Sequence, residues 1–506
     1  MTKTLEELAL LIDGAEIVGN KDVEITGIEH DSRKIKFGNV FVCMEGVHVD
    51  GHKFINQAKQ KGAVAIITAR QDFHTDELPI LKVPNMLKSL AVIVPYFYDY
   101  PSKNFRVIGV TGTNGKTTTT YMIRAILMAA GFKVGLIGTI QMMIGDEVFP
   151  VKNTTPNVID MQHTLNEMSE KKVDFVVMEV SSHALAENRI AGIEFDTAIF
   201  TNLTQDHLDY HKTMENYRDA KAKLFDLVSR AGTKPNKNAV INLDDAAGAV
   251  MSEHTLCNKI TYGIESECDL SAVDVDVKAE GTSFKIGKSE EFRVKSSHNS
   301  SLLTPHFSLK LHVTGIFNVY NVLAAIGAAF AERIPADVIK TALENFRSVA
   351  GRFEKIFADI PFTIIVDYAH TPDGVKNVLE TARQIVTNRI ITVFGCGGDR
   401  DNTKRPIMGK IAAELSDIVI VTSDNPRSEN PADIISQIEV GVKEKIGDKT
   451  FESIVDRRRA IFRAVEIAKA GDIILILGKG HENYQILKDE TIHFDDREVA
   501  LQAIKN

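Results

Sequence analysis

The run from Phe105 to Thr118 constrains this chain more than any other segment. Arg106-Val107-Ile108-Gly109-Val110 is apolar and β-branched, and it passes through Thr111-Gly112-Thr113-Asn114-Gly115 into Lys116-Thr117-Thr118. Beyond it Met122, Ile126, Leu127 and Ala130 share one helical face, Gly131 ends the helix, and Phe132 to Ile137 reads as the next strand. A βαβ unit is therefore predicted. Its turn can cradle a triphosphate: glycines expose backbone N–H groups to phosphate oxygens, Lys116 can reach the terminal phosphates, and the Thr117 hydroxyl can hold magnesium. Val110 stands where the common G-x-x-x-x-G-K-[ST] pattern has glycine, so the spacing is a variant. The competing reading is a helix-capping turn with no ligand.

The 506 residues are too many for one core, and 44% hydrophobic with 25% charged residues is ordinary globular composition, so two to four domains are expected. A formal charge of −9 excludes a general attraction to nucleic acid or anionic membrane. Any polyanionic ligand must be met by local cations and helix ends. Cys43, Cys257, Cys268 and Cys396 lack CxxC pairing, which predicts reduced thiols rather than a disulfide frame or zinc ribbon. The start of the chain lacks the apolar core of a signal peptide and no run reaches membrane-spanning length, so a soluble, cytoplasmic protein is expected.

Strands are predicted at Val23–Ile28, Val40–Met44 and Ala63–Thr68, before a Pro-containing polar stretch at 97–103 that reads as a linker. Further strands at Val173–Met178, Thr197–Thr201 and Ala239–Asn242 alternate with helices, which predicts a largely parallel sheet. Polar–apolar alternation at Ser271–Val277 and Ser308–Val313 predicts an antiparallel patch before a helix that begins near Asn318. Strands at Thr363–Val366, Ile390–Phe394, Ile418–Thr422 and Asp472–Leu477 again alternate with helices. The fold class is α/β, and the breaks give domains at 1–100, 101–335 and 336–506.

Chemistry gathers where these strands run out into loops, the usual ligand position in open α/β sheets. Glu179 ends an apolar strand and is placed either to hold magnesium or to cap the following helix. His207 and His211 are four apart and could be read as zinc ligands, but no H-E-x-x-H pattern or nearby cysteine supports them; one imidazole would equally suit magnesium. Lys221 and Lys223 lie on an amphipathic helix, where composition predicts solvated charges. Cys396 is read as a small residue filling a glycine turn rather than as a nucleophile.

Taken in order, Thr111-Gly112-Thr113-Asn114-Gly115-Lys116-Thr117, Glu179-Val180-Ser181-Ser182-His183, Asp206-His207-Leu208-Asp209-Tyr210-His211, Asp367-Tyr368-Ala369-His370-Thr371-Pro372 and Gly478-Lys479-Gly480-His481-Glu482 resemble the motifs of the Mur ligases. The resemblance runs through the whole chain. It implies a central P-loop ATPase domain flanked by an N-terminal uridine-nucleotide domain and a C-terminal Rossmann-like domain. It further implies the family member that adds the third peptide residue to UDP-N-acetylmuramoyl-L-Ala-D-Glu, with ATP as substrate and Mg2+ as cofactor; charge and hydropathy predict no nucleic-acid or membrane partner, and a monomer is expected.

Residue by residue, the resemblance implies ATP contacts from Gly112, Thr113, Asn114, Gly115, Lys116, Thr117, Thr118, Asn318, Asn321, Arg352 and Asp367. Ser32 and His48 would meet the uridine nucleotide, and Asn153, Thr154, Thr155, Ser181 and Arg189 the muramoyl dipeptide. Where the family usually has glutamine this chain has Glu187, which when ionised donates no hydrogen bond and repels an anion. The Ala220-Lys221 setting implies an N6-carboxylated Lys221, which joins Thr117, Glu179 and His207 at the metal. Lys116, Glu179, His207 and Lys221 thereby become the catalytic set.

The incoming amino acid would meet Arg400, Asp424, Asn425, Pro426, Arg427, Gly478 and Glu482. The Asp424-Asn425-Pro426-Arg427 turn resembles that of the members using meso-diaminopimelate. A guanidinium grips the distal carboxylate of that diacid, whereas L-lysine offers only an ammonium there. The rivals are the same ligase using L-lysine, a folylpolyglutamate-type ligase, against which the Ser32 and His48 segments argue, and a P-loop kinase or nucleotide switch, which leaves the last third of the chain without a role.

Overall fold

The computed structural model describes residues 2–46, 49–151, 153–230, 232–287 and 307–505. Residues 1–109, 132–196 and 227–237 form one compact unit; 110–131, 197–226 and 238–506 form a second. Strand Arg106–Thr111 carries the chain from the first into the second.

In the first unit, strands Glu16–Val18, Ile80–Lys82, Ala65–Thr68, Asn39–Val42 and Gly27–Glu29 lie side by side in that order. The first pair is antiparallel and the rest are parallel. Both faces are covered, because successive side chains of a strand point opposite ways. Val40 and Val42 pack with Ala65, Ile67 and Leu81 on one face, while Phe41 and Cys43 pack with Ile66 and Ile80 on the other. A buried Cys43 thiol is pushed up to about 12 by desolvation, in keeping with an inert core residue.

The strand expected over Val23–Ile28 is two short ones, Glu24–Ile25 and Gly27–Glu29. The stretch read as a linker is packed instead: Pro101 and Ser102 are buried, Ser102 Oγ donates to Gly192 O (3.3 Å), and Glu194 N–H donates back to it (3.0 Å). Polar composition misleads here because the hydroxyl is satisfied internally. The same unit also pairs Val134–Ile137 with Phe175–Glu179 in parallel and with Met142–Ile144 antiparallel.

In the second unit, Thr197–Phe200, Asn238–Asn242, Asn258–Gly263 and Leu270–Lys278 are joined in parallel. Gly281–Ile286 and Phe307–Lys310 then continue antiparallel, as the alternating pattern predicts. A separate six-stranded sheet runs Glu354–Ile356, Thr363–Asp367, Ile473–Leu477, Ile390–Phe394, Ile418–Val421, Thr450–Ser453, all parallel after the first pair. Its near-continuous apolar strands are those of a sheet wrapped by helices on both faces: Ile365, Phe394, Val421 and Leu475 pack on one side, and Ile364, Val393, Ile420 and Ile476 on the other.

Arg457 and Asp496, both 0% exposed, form an ion pair at 2.7 Å, and Arg457 Nη2 also donates to Leu477 O at the end of the central strand. Removing one partner strands a buried charge, so Asp496→Ala is expected to cost about 3–5 kcal/mol in chemical denaturation. An unchanged midpoint would contradict that.

Candidate active site

The turn after Arg106–Thr111 has the backbone a phosphate cradle needs. Gly112 (φ +151°) and Gly115 (φ +87°) both occupy the region that glycine alone enters cheaply, and a Cβ on Gly112 would lie 1.8 Å from Thr201 Oγ1. Gly115 is the N-cap of helix Lys116–Ala129 and brings no side-chain cap, the situation in which an anion takes that role. Asn202 fixes the loop: its carbonyl accepts from Thr113 N–H (2.8 Å) and its Oδ1 from Asn114 N–H (2.8 Å). Thr201 Oγ1 donates to Asn114 O (2.7 Å). Thr201 and Asn202 open the cluster that the sequence places at this strand end, but their role in holding the turn depends on a segment distant in the chain and is not legible locally.

Lys116 Nζ donates to the loop's own carbonyls, Gly112 O (3.0 Å) and Thr113 O (2.8 Å). Thr117 and Thr118 are buried, and Arg352 Nη2 donates to Thr117 Oγ1 (3.0 Å) while its guanidinium lies over the Tyr368 ring (4.5 Å). Asn318 and Asn321 are a turn apart on helix Ile316–Ala331 and are linked, Asn321 Nδ2 to Asn318 Oδ1 at 3.2 Å. Thr119 Oγ1 lies 3.4 Å from Asn321 Oδ1, so this pair adjoins the cradle helix. Asp367 accepts from Phe353 N–H (2.6 Å) and Ala369 N–H (2.7 Å), and burial raises its pKa despite the Arg352 charge.

Lys221 overturns the compositional expectation. Helix Met214–Ser229 leaves Lys223 exposed but turns Lys221 inward to 1% exposure, where Nζ donates to Gly112 O (2.7 Å) and sits over the Tyr217 ring (4.3 Å). Burial, reinforced by the Lys116 cation, holds the ammonium well below its ordinary pKa. His207 takes a left-handed backbone (φ +54°) and its Nε2 lies 3.3 Å from Asp206 Oδ2. His211 is buried between the rings of Tyr210 and Tyr217, and the His207 ring meets the same Tyr217 edge-on (6.0 Å), so the two imidazoles share that tyrosine. Burial works to raise the Asp206 carboxyl, but His207, Lys404 (3.8 Å) and His370 (3.9 Å) outweigh it and hold Asp206 well below the carboxylate range. Desolvation and Lys404 push His370 down to about 4. Lys404, at the start of helix Lys404–Leu415, carried no sequence signal.

Asp424, Asn425 and Pro426 are buried beyond strand Ile418–Val421, and the chain at 485–486 pins them: Gln485 Nε2 donates to Asp424 O (2.7 Å) and Ile486 N–H to Asn425 Oδ1 (2.9 Å). Arg427 has a left-handed backbone (φ +52°), its N–H donates to Ile486 O, and its Nη1 donates to Gly398 O (2.7 Å). Nε and Nη2 of Arg427 have no hydrogen-bond partner among the described residues. Asn425 Nδ2 donates to Glu482 Oε2 (2.8 Å), which also accepts from Lys479 (3.0 Å), a lysine with 0% exposure. Gly478 (φ +113°) has no room for a Cβ, which would fall 2.5 Å from Asp424 Oδ2. Arg400 is exposed and donates to Asp399 O. Cys396 is buried with its thiol pushed up to about 12 by desolvation.

In the first unit, Glu179 accepts from Thr139 N–H (2.8 Å) and Thr139 Oγ1 (3.0 Å). The following helix is capped by Ser181, not by Glu179. Thr154 Oγ1 meets Thr139 Oγ1 at 3.0 Å; Thr155 Oγ1 donates to Glu179 O and accepts from Ser181 N–H. Arg189 Nη1 donates to Thr155 O (3.3 Å), and Asn153 is exposed nearby in sequence. Ser32 is buried and donates to Gln57 Oε1 (2.7 Å). His48 lies outside the described residues.

Three family models match the chain: the Mur ligase family catalytic domain over residues 24–98, the Mur ligase middle domain over 110–329, and the Mur ligase glutamate ligase domain over 351–480. A Clostridium botulinum protein named UDP-N-acetylmuramoyl-L-alanyl-D-glutamate--2,6-diaminopimelate ligase is 47% identical over 488 residues, covering 95% of each chain. A Bacillus cereus protein of the same name is 46% identical over 506 residues, 99% of this chain and 98% of its own. A solved structure of a ligase with that name superposes with a TM-score of 0.66 at 31% identity, covering 100% of this chain and 99% of the other. With three family models matched in order along the sequence and relatives matched from end to end, this chain belongs to the Mur ligase family.

Proposed function

We propose that this ligase joins meso-2,6-diaminopimelate to the D-glutamyl γ-carboxylate of UDP-N-acetylmuramoyl-L-Ala-D-Glu, with ATP cleaved to ADP, as a cytoplasmic step in making peptidoglycan precursors. The observation that carries the choice of amino acid is Arg427, whose Nε and Nη2 have no hydrogen-bond partner among the described residues while Nη1 anchors to Gly398. Such a fork suits a distal carboxylate. Glu482, fixed by Asn425 and Lys479, suits the distal ammonium. The named relatives support the same choice.

In the reaction, a γ-carboxylate oxygen attacks the γ-phosphorus of ATP and ADP leaves, giving an acyl phosphate. The amine then attacks the carbonyl, phosphate leaves, and the nitrogen loses a proton. Phosphorylation replaces an oxide leaving group with phosphate. Lys116 exchanges its loop carbonyls for phosphate oxygens and stabilises the charge on the group in transfer. Asn318 and Asn321 take the adenine, Arg352 and Asp367 complete the ATP contacts, Ser32 the uridine, and Asn153, Thr154, Thr155, Ser181 and Arg189 the dipeptide arm. Arg400, Asp424, Asn425, Pro426 and Gly478 complete the pocket for the amino acid.

The donor set fits magnesium on one condition. An ammonium at Lys221 repels a divalent cation, but burial beside Lys116 favours the neutral amine, the form that adds carbon dioxide, and the resulting carbamate reverses the charge. Thr117, His207 and carboxylated Lys221 would then hold the ion, with Glu179 assigned to it by the resemblance alone. Bound there, magnesium would screen the phosphate charge. We assign the N-terminal, central and C-terminal domains to 1–100, 101–335 and 336–506, and a monomeric state. No described helix is long and apolar enough to cross a membrane.

Phosphate release from ATP is the test. It should require both the uridine-linked acid and the diamino acid, and release with ATP alone at the full rate would defeat the proposal.

A further inference from the structure

Helix Ser182–Ala186 ends in a turn that brings two opposite charges together. Asn188 is left-handed (φ +55°), Glu187 N–H donates to His183 O (2.8 Å), and Arg189 N–H donates to Ala184 O (2.9 Å), a C-terminal cap that reverses the chain. Arg189 Nε and Nη2 both reach Glu187 Oε2, at 2.8 and 2.6 Å, while Nη1 is held by Thr155 O. The edge of the guanidinium best shaped for a carboxylate is therefore already taken by the chain itself.

We propose that Glu187 is a resident competitor for Arg189, so that the acidic substrate must take this cation from it and binds less tightly than Arg189 alone would allow. The proposal rests on the function inferred above, in which Arg189 receives the muramoyl dipeptide. Its physical basis is the strength of the pair. The two side chains are 31% and 24% exposed, and a solvent-screened pair of this kind is weak enough to be surrendered yet strong enough to be felt. Glu187 acts through Arg189, which makes it a positioning residue that sets affinity and leaves the transfer step alone. A glutamine in its place keeps the size and removes the charge that competes for Arg189.

The test uses the full-length enzyme and UDP-N-acetylmuramoyl-L-Ala-D-Glu as probe, with titration calorimetry and steady-state kinetics on wild type, Glu187→Gln, Arg189→Ala and the double variant. Glu187→Gln should lower the Kd and KM for the acid about five-fold while kcat and the KM for ATP stay within about two-fold. In the Arg189→Ala background the same change should gain less than about two-fold, since the competition has no object. Equal or weaker binding by Glu187→Gln, or an equal gain without Arg189, overturns the proposal while leaving the ligase assignment standing. Failure of the wild-type enzyme to bind the acid overturns both.

Discussion

Lys221→Ala is expected to lower ligase turnover by at least about a hundred-fold, since without the proposed carbamate the transferring phosphoryl group would lose several kcal/mol of stabilisation. The side chain is buried and bonded to the cradle at Gly112 O, so the variant must first be shown to fold by circular dichroism. Added bicarbonate should restore nothing to the alanine variant, because no amine remains to be carboxylated. In the wild type, labelled bicarbonate should give a carbamate carbon signal that this variant lacks. Near-normal turnover of folded Lys221→Ala would remove the carbamate from the account. Lys221→Met separates lost charge from lost volume: it fills the space and should remain as inactive.

The second large effect is at Arg427. With diaminopimelate bound, the guanidinium would meet a carboxylate; with lysine this half-buried group would face an ammonium and lose its charge-assisted bonds, at a cost of about 1.5–3 kcal/mol, or roughly ten-fold to somewhat over a hundred-fold in selectivity. Arg427→Ala should therefore lose most of the preference for the diacid, chiefly by raising its KM. Arg427→Lys should recover only part, because an ammonium cannot make the two parallel bonds of the fork. The positive φ of Arg427 and its anchor on Gly398 O hold that fork in place before any ligand arrives. A variant with unchanged discrimination would show that the distal carboxylate is read elsewhere.

Much of this architecture was legible because apolar strands and glycine turns are local signals. The glycine turn after Arg106–Thr111, the parallel strands around it and the third run of strands all fall within a residue or two of their expected places, and the antiparallel strands overlap the alternating stretches, the last ending at Lys310 rather than Val313. Short edge strands such as Glu147–Phe149 and Thr450–Ser453 carry too few apolar residues to register. Burial of charge was the harder matter. Lys221, Lys404 and Lys479 look like surface lysines in the sequence and are all buried, because each has a partner, Gly112 O, Asp206 and Asn425 Oδ1 respectively, on a segment distant in the chain. Only the motif resemblance singled out Lys221, and nothing local singled out Lys404. Glu187 shows the converse: the sequence marks it as an unfavourable charge, and the structure shows which cation it holds.

A diamino diacid is expected to be chosen over lysine by its distal carboxylate. The most direct measurement is mass analysis of the product formed from UDP-N-acetylmuramoyl-L-Ala-D-Glu and ATP with equal concentrations of meso-diaminopimelate and L-lysine. The account predicts a product carrying diaminopimelate almost alone, and a product carrying mainly lysine would contradict it.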